Sequence, residues 1–202
     1  PIYVAGYVAA QTRGGVRLVR VPTTPAAMVD GAFAGYAAMD CDQIKDALRI
    51  PCEPAAVVID TSYARTVLDG VWRGGLGEMV RFAAASDAAL FGKISKNAEE
   101  LKSRDMDVFS EIARDCAVSR VAKGESGFAQ WCAQRLESMS AYKLPHGYAI
   151  PIAICIDTAY AEAKGLLSRD DADSIRDLLG ECGALDGLVH SRHLVAQADN
   201  IL

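Results

Sequence analysis

The apolar residues of this sequence change their period near Asp60, and that change limits the folds open to the chain. Before it the apolar runs are short and β-prone. Arg17-Leu-Val-Arg-Val21 follows the turn pair Gly14-Gly15 and is stopped by Pro22, and Ala55-Ala-Val-Val-Ile-Asp60 follows Pro51 and Pro54. Both runs read as buried strands feeding loops. Residues 31–46 between them have no clean period and carry Gly31, Gly35, Asp40 and Asp42, so they read as a loop with at most a short helix. Loops entered from strand ends are where sites tend to sit.

After Asp60 the pattern is helical. Thr61 or Ser62 can cap a helix running through Val67, and apolar residues then recur in steps of three and four through Met79, Phe82, Ala83 and Leu90. Further helices are expected over 106–122, 127–140, 146–164 and 168–182. Ser168-Arg-Asp-Asp171 is a start signal, and Lys164-Gly165 is a stop signal. At 202 residues the chain is long enough for one domain, or slightly more, with a real core. The expected fold is α+β and mostly α: a short strand-containing portion, residues 1–60, followed by a helical bundle, residues 61–202.

Composition removes several function classes. Hydrophobic residues at 51 % and charged residues at 23 % exclude a disordered chain. Twenty-six acidic against 21 basic residues give a net charge of −5, so no broad positive field invites nucleic acid or an anionic membrane. The longest apolar stretch, 148–156, ends at Asp157 and is about half of what a bilayer span requires. Six scattered cysteines without a CxxC pair read as reduced, mostly buried thiols. With no signal-peptide pattern, they point to the cytoplasm.

Few polar residues are placed to face inward. Glu78 lies in an apolar helix behind Gly74, Gly75 and Gly77, glycines that cost a helix roughly 1 kcal/mol each and therefore need a packing or access reason. It is either an inward carboxylate or a solvated one on an outer face. His146 follows Pro145 at the start of an apolar helix, where the helix dipole favours a neutral, metal-binding imidazole; a structural role is the alternative. Gln130 and Gln134 share one helix face, a metal-ligand spacing occupied by amides that are poor ligands for zinc-like ions. Arg13 and Pro22-Thr23-Thr24 flank a strand and suit a phosphate or a ribose, on weak evidence. Asp30 and Lys45 read equally as a turn cap and a surface charge.

In order and spacing these residues resemble the 3-dehydroquinate-synthase family of sugar-phosphate cyclases, especially its cyclitol-synthase branch. The resemblance runs from Tyr7 to about Leu179. It is carried by Arg13-Gly14, Arg17-Leu-Val-Arg-Val-Pro-Thr-Thr24, Asp30, Ala55-Ala-Val-Val-Ile-Asp60, Trp72-Arg-Gly-Gly-Leu-Gly-Glu78, Arg135-Leu-Glu-Ser138 and His146-Gly-Tyr-Ala-Ile150. It implies a helical bundle like the C-terminal domain of dehydroquinate synthases, with residues 1–60 a remnant of the nucleotide-binding portion. It also implies NAD and zinc or cobalt as cofactors, a small-molecule substrate, and a homodimer or hetero-oligomer. By the resemblance Arg13 contacts substrate phosphate, Thr23, Thr24 and Thr66 touch the cofactor, and Asp30 and Lys45 act on substrate. Glu78 and His146 are metal ligands.

The departures fall on the chemistry. Tyr36 stands where the family has its first active-site lysine, Asp40 where an asparagine follows, and Arg81 where a lysine follows the metal glutamate. Gln130 and Gln134 replace a histidine pair, so the metal set Glu78, His146 and Gln130 is impaired. Tyr3 stands where a cofactor loop ends in aspartate. The expected function is therefore a diverged cyclase or lyase of secondary metabolism. It would act on a small phosphorylated or carboxylated substrate through Asp30, Lys45, Arg81 and Tyr36, without the usual metal and NAD steps. The alternatives are a non-catalytic subunit supporting an active partner, and part of an ordinary NAD- and metal-dependent cyclase that continues outside these residues.

Overall fold

The computed structural model describes residues 2–42 and 44–187. The chain begins with helix α1 (Ile2–Gln11), then β1 (Val19–Arg20), α2 (Pro25–Val29) and a 3-10 turn (Gly31–Phe33). Next come β2 (Tyr36–Cys41), β3 (Ile44–Pro51), β4 (Ala56–Val57) and a second 3-10 segment (Thr61–Thr66). The remainder is helical: α3 (Asp69–Ser86), α4 (Ala88–Lys96), α5 (Ala98–Lys102), α6 (Met106–Lys123), α7 (Gln130–Met139), α8 (His146–Ala163) and α9 (Arg169–Glu181). The expected mostly-α, α+β class stands, with the strands among the described residues all lying between Val19 and Val57.

Two expectations for the N-terminal portion are corrected. The two β-prone runs are not buried strands: each contributes two residues to a parallel pair, Val19 opposite Ala56 and Arg20 opposite Val57, and Val19 is half exposed. Pro22 and Pro54 flank that pair, and a proline cannot donate to the ladder. Residues 31–46, read as a loop, hold β2 and the start of β3, an antiparallel hairpin registered from Tyr36 opposite Pro51 to Cys41 opposite Ile44, with a bulge between Met39 and Cys41. Residues 2–11, for which no element was expected, form α1, which packs on β2; a Cβ at Gly6 would lie 3.1 Å from that of Ala37.

The helix expected from Thr61 is a 3-10 segment whose entry is capped by the Asp60 carboxylate accepting from Ser62 N–H; it stops at Val67, and α3 starts afresh at Asp69. α6, α8 and α9 match the expected helices to within a residue or two, with Ser168 capping α9 through the Asp171 N–H. α7 starts three residues later than expected, after Ala129 in a left-handed conformation.

The core forms between α3 and the helices around it. Trp72 is buried, donates from Nε1 to the Leu101 carbonyl at 3.0 Å, and meets the Phe109 ring at 4.7 Å between centroids. Met79, Phe82, Ile112, Ile150 and Ile154 complete the same cluster. The glycines of α3 have the packing reason the sequence demanded. A Cβ at Gly74 would sit 2.5 Å from the Gly147 Cα of α8, and one at Gly75 would collide with Pro25 of α2. Glycine at these positions lets α8 and α2 approach α3 at backbone distance, which brings Glu78 level with His146 and with the end of α2 at Asp30.

Candidate functional site

Where α2, the β2–β3 hairpin, α3, α7 and the start of α8 meet, they enclose a cavity of about 260 Å³. Among its lining residues are Thr24, Asp30, Tyr36, Lys45, Glu78, Gln130 and His146, drawn from both halves of the chain. Arg81 lies directly behind, wholly buried. Of the residues singled out from the sequence, Arg13, Thr23 and Thr66 are not brought to this cavity; all three are exposed.

The site is organised by charge. Glu78 is 3 % exposed, yet burial, which would raise its pKa, is outweighed by Arg81 and His146, and its carboxyl is pulled down to about 2. Oε2 accepts from Arg81 Nε at 2.6 Å, and Oε1 lies 3.1 Å from His146 Nε2. The other ring nitrogen, Nδ1, lies 3.3 Å from Glu137 Oε1. On the far side, Arg81 Nη2 meets Asp30 Oδ2 at 3.1 Å while Nη1 donates to the Ser126 and Phe128 carbonyls at 2.7 and 3.3 Å. Asp30 Oδ1 accepts from Arg120 Nε at 2.8 Å. Cation and anion thus alternate from Arg120 through Asp30, Arg81, Glu78 and His146 to Glu137, which faces Lys45 at 3.8 Å.

This geometry corrects the expectation of a neutral His146. Burial would lower its pKa, but hydrogen bonds to Glu137 and Glu78 and the charges of both carboxylates raise it to about 9. Two carboxylates within 3.3 Å outweigh the helix N-terminus and keep the imidazole cationic at neutral pH. Glu78, depressed below its unfolded value of about 4.5, adds stability above that value and loses it as pH falls toward about 2. His146, raised above about 6.5, adds stability below that value and loses it as pH rises through about 9. We expect thermal stability to be greatest between about pH 4.5 and 6.5 and to fall on the alkaline side; in His146→Asn that alkaline decline flattens in a melting-temperature series.

Two positioning groups were not legible. Arg20, 2 % exposed, donates to the Ala32, Ala34, Tyr36 and Cys52 carbonyls and pins the hairpin base to the turn after α2. Its sequence signal was only a charge inside an apolar run. Glu137 had appeared inside a motif with no role assigned. On the cavity wall, the Tyr3 and Tyr36 rings stack with centroids 6.1 Å apart, and the Arg49 guanidinium covers Tyr36 at 3.5 Å. Burial raises the Tyr36 phenol above its ordinary value, so it is a donor and not a base. Asp46, in a left-handed conformation, is the one lining carboxylate with no ion pair among the described residues; Gln134 Nε2 donates to it at 3.4 Å.

The residues present do not fit a divalent metal. Both oxygens of Glu78 and both nitrogens of His146 are engaged, and Gln130 offers an amide. Among the described residues no three His, Cys, Asp or Glu side chains form a metal-binding group. Nor do the described residues make a dinucleotide cradle: Thr24 alone of the three threonines faces the cavity, and β1 pairs only with β4. No described helix is long and apolar enough to cross a membrane, and all six cysteines are free thiols.

Residues 2–73 match the model of the 3-dehydroquinate synthase N-terminal family. The 3-dehydroquinate synthase of Geobacter metallireducens is 28 % identical over 188 residues, covering 87 % of this chain and 52 % of the relative; that of Xylella fastidiosa (strain M23) is 29 % identical over 197 residues, covering 89 % and 53 %. The chain therefore spans about half the length of the curated relatives it matches. By fold, it is similar to the valiolone synthase ValA (2-epi-5-epi-valiolone synthase) from Streptomyces hygroscopicus subsp. jinggangensis, described with NAD+ and Zn2+ bound: TM-score 0.77, 20 % identity, 94 % of this chain and 61 % of that one. A 2-deoxy-scyllo-inosose synthase complexed with carbaglucose-6-phosphate, NAD+ and Co2+ gives a TM-score of 0.76 at 20 % identity, covering 92 % of this chain and 53 % of that one.

Proposed function

We propose, from the premise that this is a 3-dehydroquinate-synthase-like chain of the sugar-phosphate cyclase family, that its cavity binds a small polyhydroxylated molecule bearing a phosphate or carboxylate. In this reading the protein is a diverged carbon–oxygen lyase of secondary metabolism. Residues 1–60 correspond to the tail of the family's nucleotide-binding portion and 61–202 to its helical domain. The observation that carries it is the convergence of residues as distant as Thr24 and His146 on one polar cavity. The six free thiols support a reducing, cytoplasmic setting.

Each residue has work it can do without metal or dinucleotide. Lys45, on the rim and only partly paired with Asp40 and Glu137, offers an ammonium to an anionic group. Gln130 and Gln134 each carry an amide donor and acceptor suited to hydroxyls. Asp30 and Glu78 have both oxygens held by cations, so they fix the site's shape and take no proton. Asp46, outside the ion-pair chain, is the carboxylate available as base. In an elimination Asp46 takes a proton from carbon and the C–H electron pair becomes the new C=C bond. The C–O pair leaves on oxygen, and the Lys45 ammonium, held only by contacts of 3.4 and 3.8 Å, protonates it, since both ring nitrogens of His146 are already engaged. Nothing is oxidised or reduced.

Titration calorimetry and thermal shift with glucose 6-phosphate, quinate and myo-inositol test this. The charged probes stabilise the protein, and Lys45→Ala weakens them at least about tenfold, a loss of about 1.4 kcal/mol, while leaving the melting temperature nearly unchanged. If none of the three is bound, the ligand reading fails and the non-catalytic subunit takes its place, as the saturated pairing of Asp30 and Glu78 would then suggest.

A further inference from the structure

A carboxylate buried as deeply as Glu78 needs a cation, and in this fold the cation is part of the chain. The Arg81 guanidinium is wholly buried and is held by four groups: Glu78, Asp30 and the carbonyls of Ser126 and Phe128. Such a group cannot swing away without leaving two carbonyls without their donor and stripping one cationic partner from each of two carboxylates. His146 closes the other side of Glu78 and is itself backed by Glu137. A divalent ion approaching Glu78 would have to displace one of these partners and then sit beside a fixed positive charge. Gln130, which lines the same cavity, offers only an amide, a poor donor to such an ion.

We propose that Arg81 is the resident cation of this cavity. Its guanidinium holds Glu78 in place, as a divalent metal would, and by occupying the Glu78 oxygen it excludes such a metal from the site. The inference concerns the same cavity as the ligand reading above but stands on a separate readout, so either can fail alone.

The test is metal binding by the full chain, with Co2+ and Zn2+ as probes. Elemental analysis of protein purified without chelator is expected to show far less than one ion per chain. Co2+ titrations followed by visible absorption are expected to show no site in the unaltered protein and none in Gln130→His, because Arg81 still occupies the Glu78 oxygen. Combining Gln130→His with Arg81→Lys adds an imidazole and frees room beside Glu78, and Co2+ then binds at least about a hundredfold more tightly than in Gln130→His alone. Circular dichroism confirms that each variant is folded. One tight ion per unaltered chain overturns the proposal, and so does equal Co2+ affinity in the single and double variants. Should the double variant not fold, the metal content of the unaltered protein decides the question on its own.

Discussion

Replacing Arg81 by methionine is expected to lower the unfolding free energy by about 3–5 kcal/mol, the usual cost of stripping one partner from a buried ion pair. For a chain of this size that is a fall in melting temperature of roughly 6–20 °C. The cost comes from what is left behind. Glu78, buried at 3 % exposure, keeps only His146, Asp30 loses one of its two guanidinium partners, and the Ser126 and Phe128 carbonyls lose their donor. Combining Arg81→Met with Glu78→Gln removes both sides of the pair, so the double variant should lose clearly less than the sum of the single losses. A coupling energy of about 1–3 kcal/mol in a denaturant-melt cycle is the expected outcome. Strict additivity would mean that the two groups act independently.

Gly74→Ala is expected to cost about 1–3 kcal/mol although it adds a single methyl group and raises helix propensity. The added Cβ would sit 2.5 Å from the Gly147 Cα, which is backbone and cannot rotate out of the way. α8 must shift away from α3, and Glu78 and His146 sit on those two helices. The variant should therefore lose response to charged cavity ligands more than its stability loss alone explains, read by calorimetry below its melting point. Gly92→Ala is the control: nothing lies within 4 Å of a Cβ there, and substitution should be neutral or slightly stabilising. If the two variants have equal melting temperatures, the close approach of α3 and α8 is not what holds the site.

How much of this was legible in the sequence depends on how local each signal is. α8 and α9 were readable because their ends are written in adjacent residues: Pro145 before the first turn, Ser168 as a cap, and Gly165 in a left-handed conformation after Lys164. The β2–β3 hairpin was not, since several of its residues are half exposed and its turn begins at Asp42 with a positive φ, a position where aspartate substitutes for the glycine a reader looks for. α1 hid because it is apolar nearly all round, with no polar face to set a period. Glu78 and His146 stood out as residue types that do not belong in apolar helices. Their charge state did not, because it is set by Arg81 three residues away and by Glu137 on a different helix. The ion pair of Asp30 with Arg120 joins residues 90 positions apart, a separation that leaves no local mark.

The cation–anion chain around Glu78 neutralises itself, and the protonation of His146 reports on it most directly. Long-range 15N–1H correlation spectra of the full chain distinguish an imidazolium from either neutral tautomer, with His146→Asn identifying the resonance. Both ring nitrogens of His146 should be protonated at neutral pH, with the proton lost only as pH approaches about 9. A neutral imidazole at pH 7, titrating at or below the ordinary histidine value of about 6.5, would contradict the pairing with Glu78 and Glu137 and the charge-compensated site built on it.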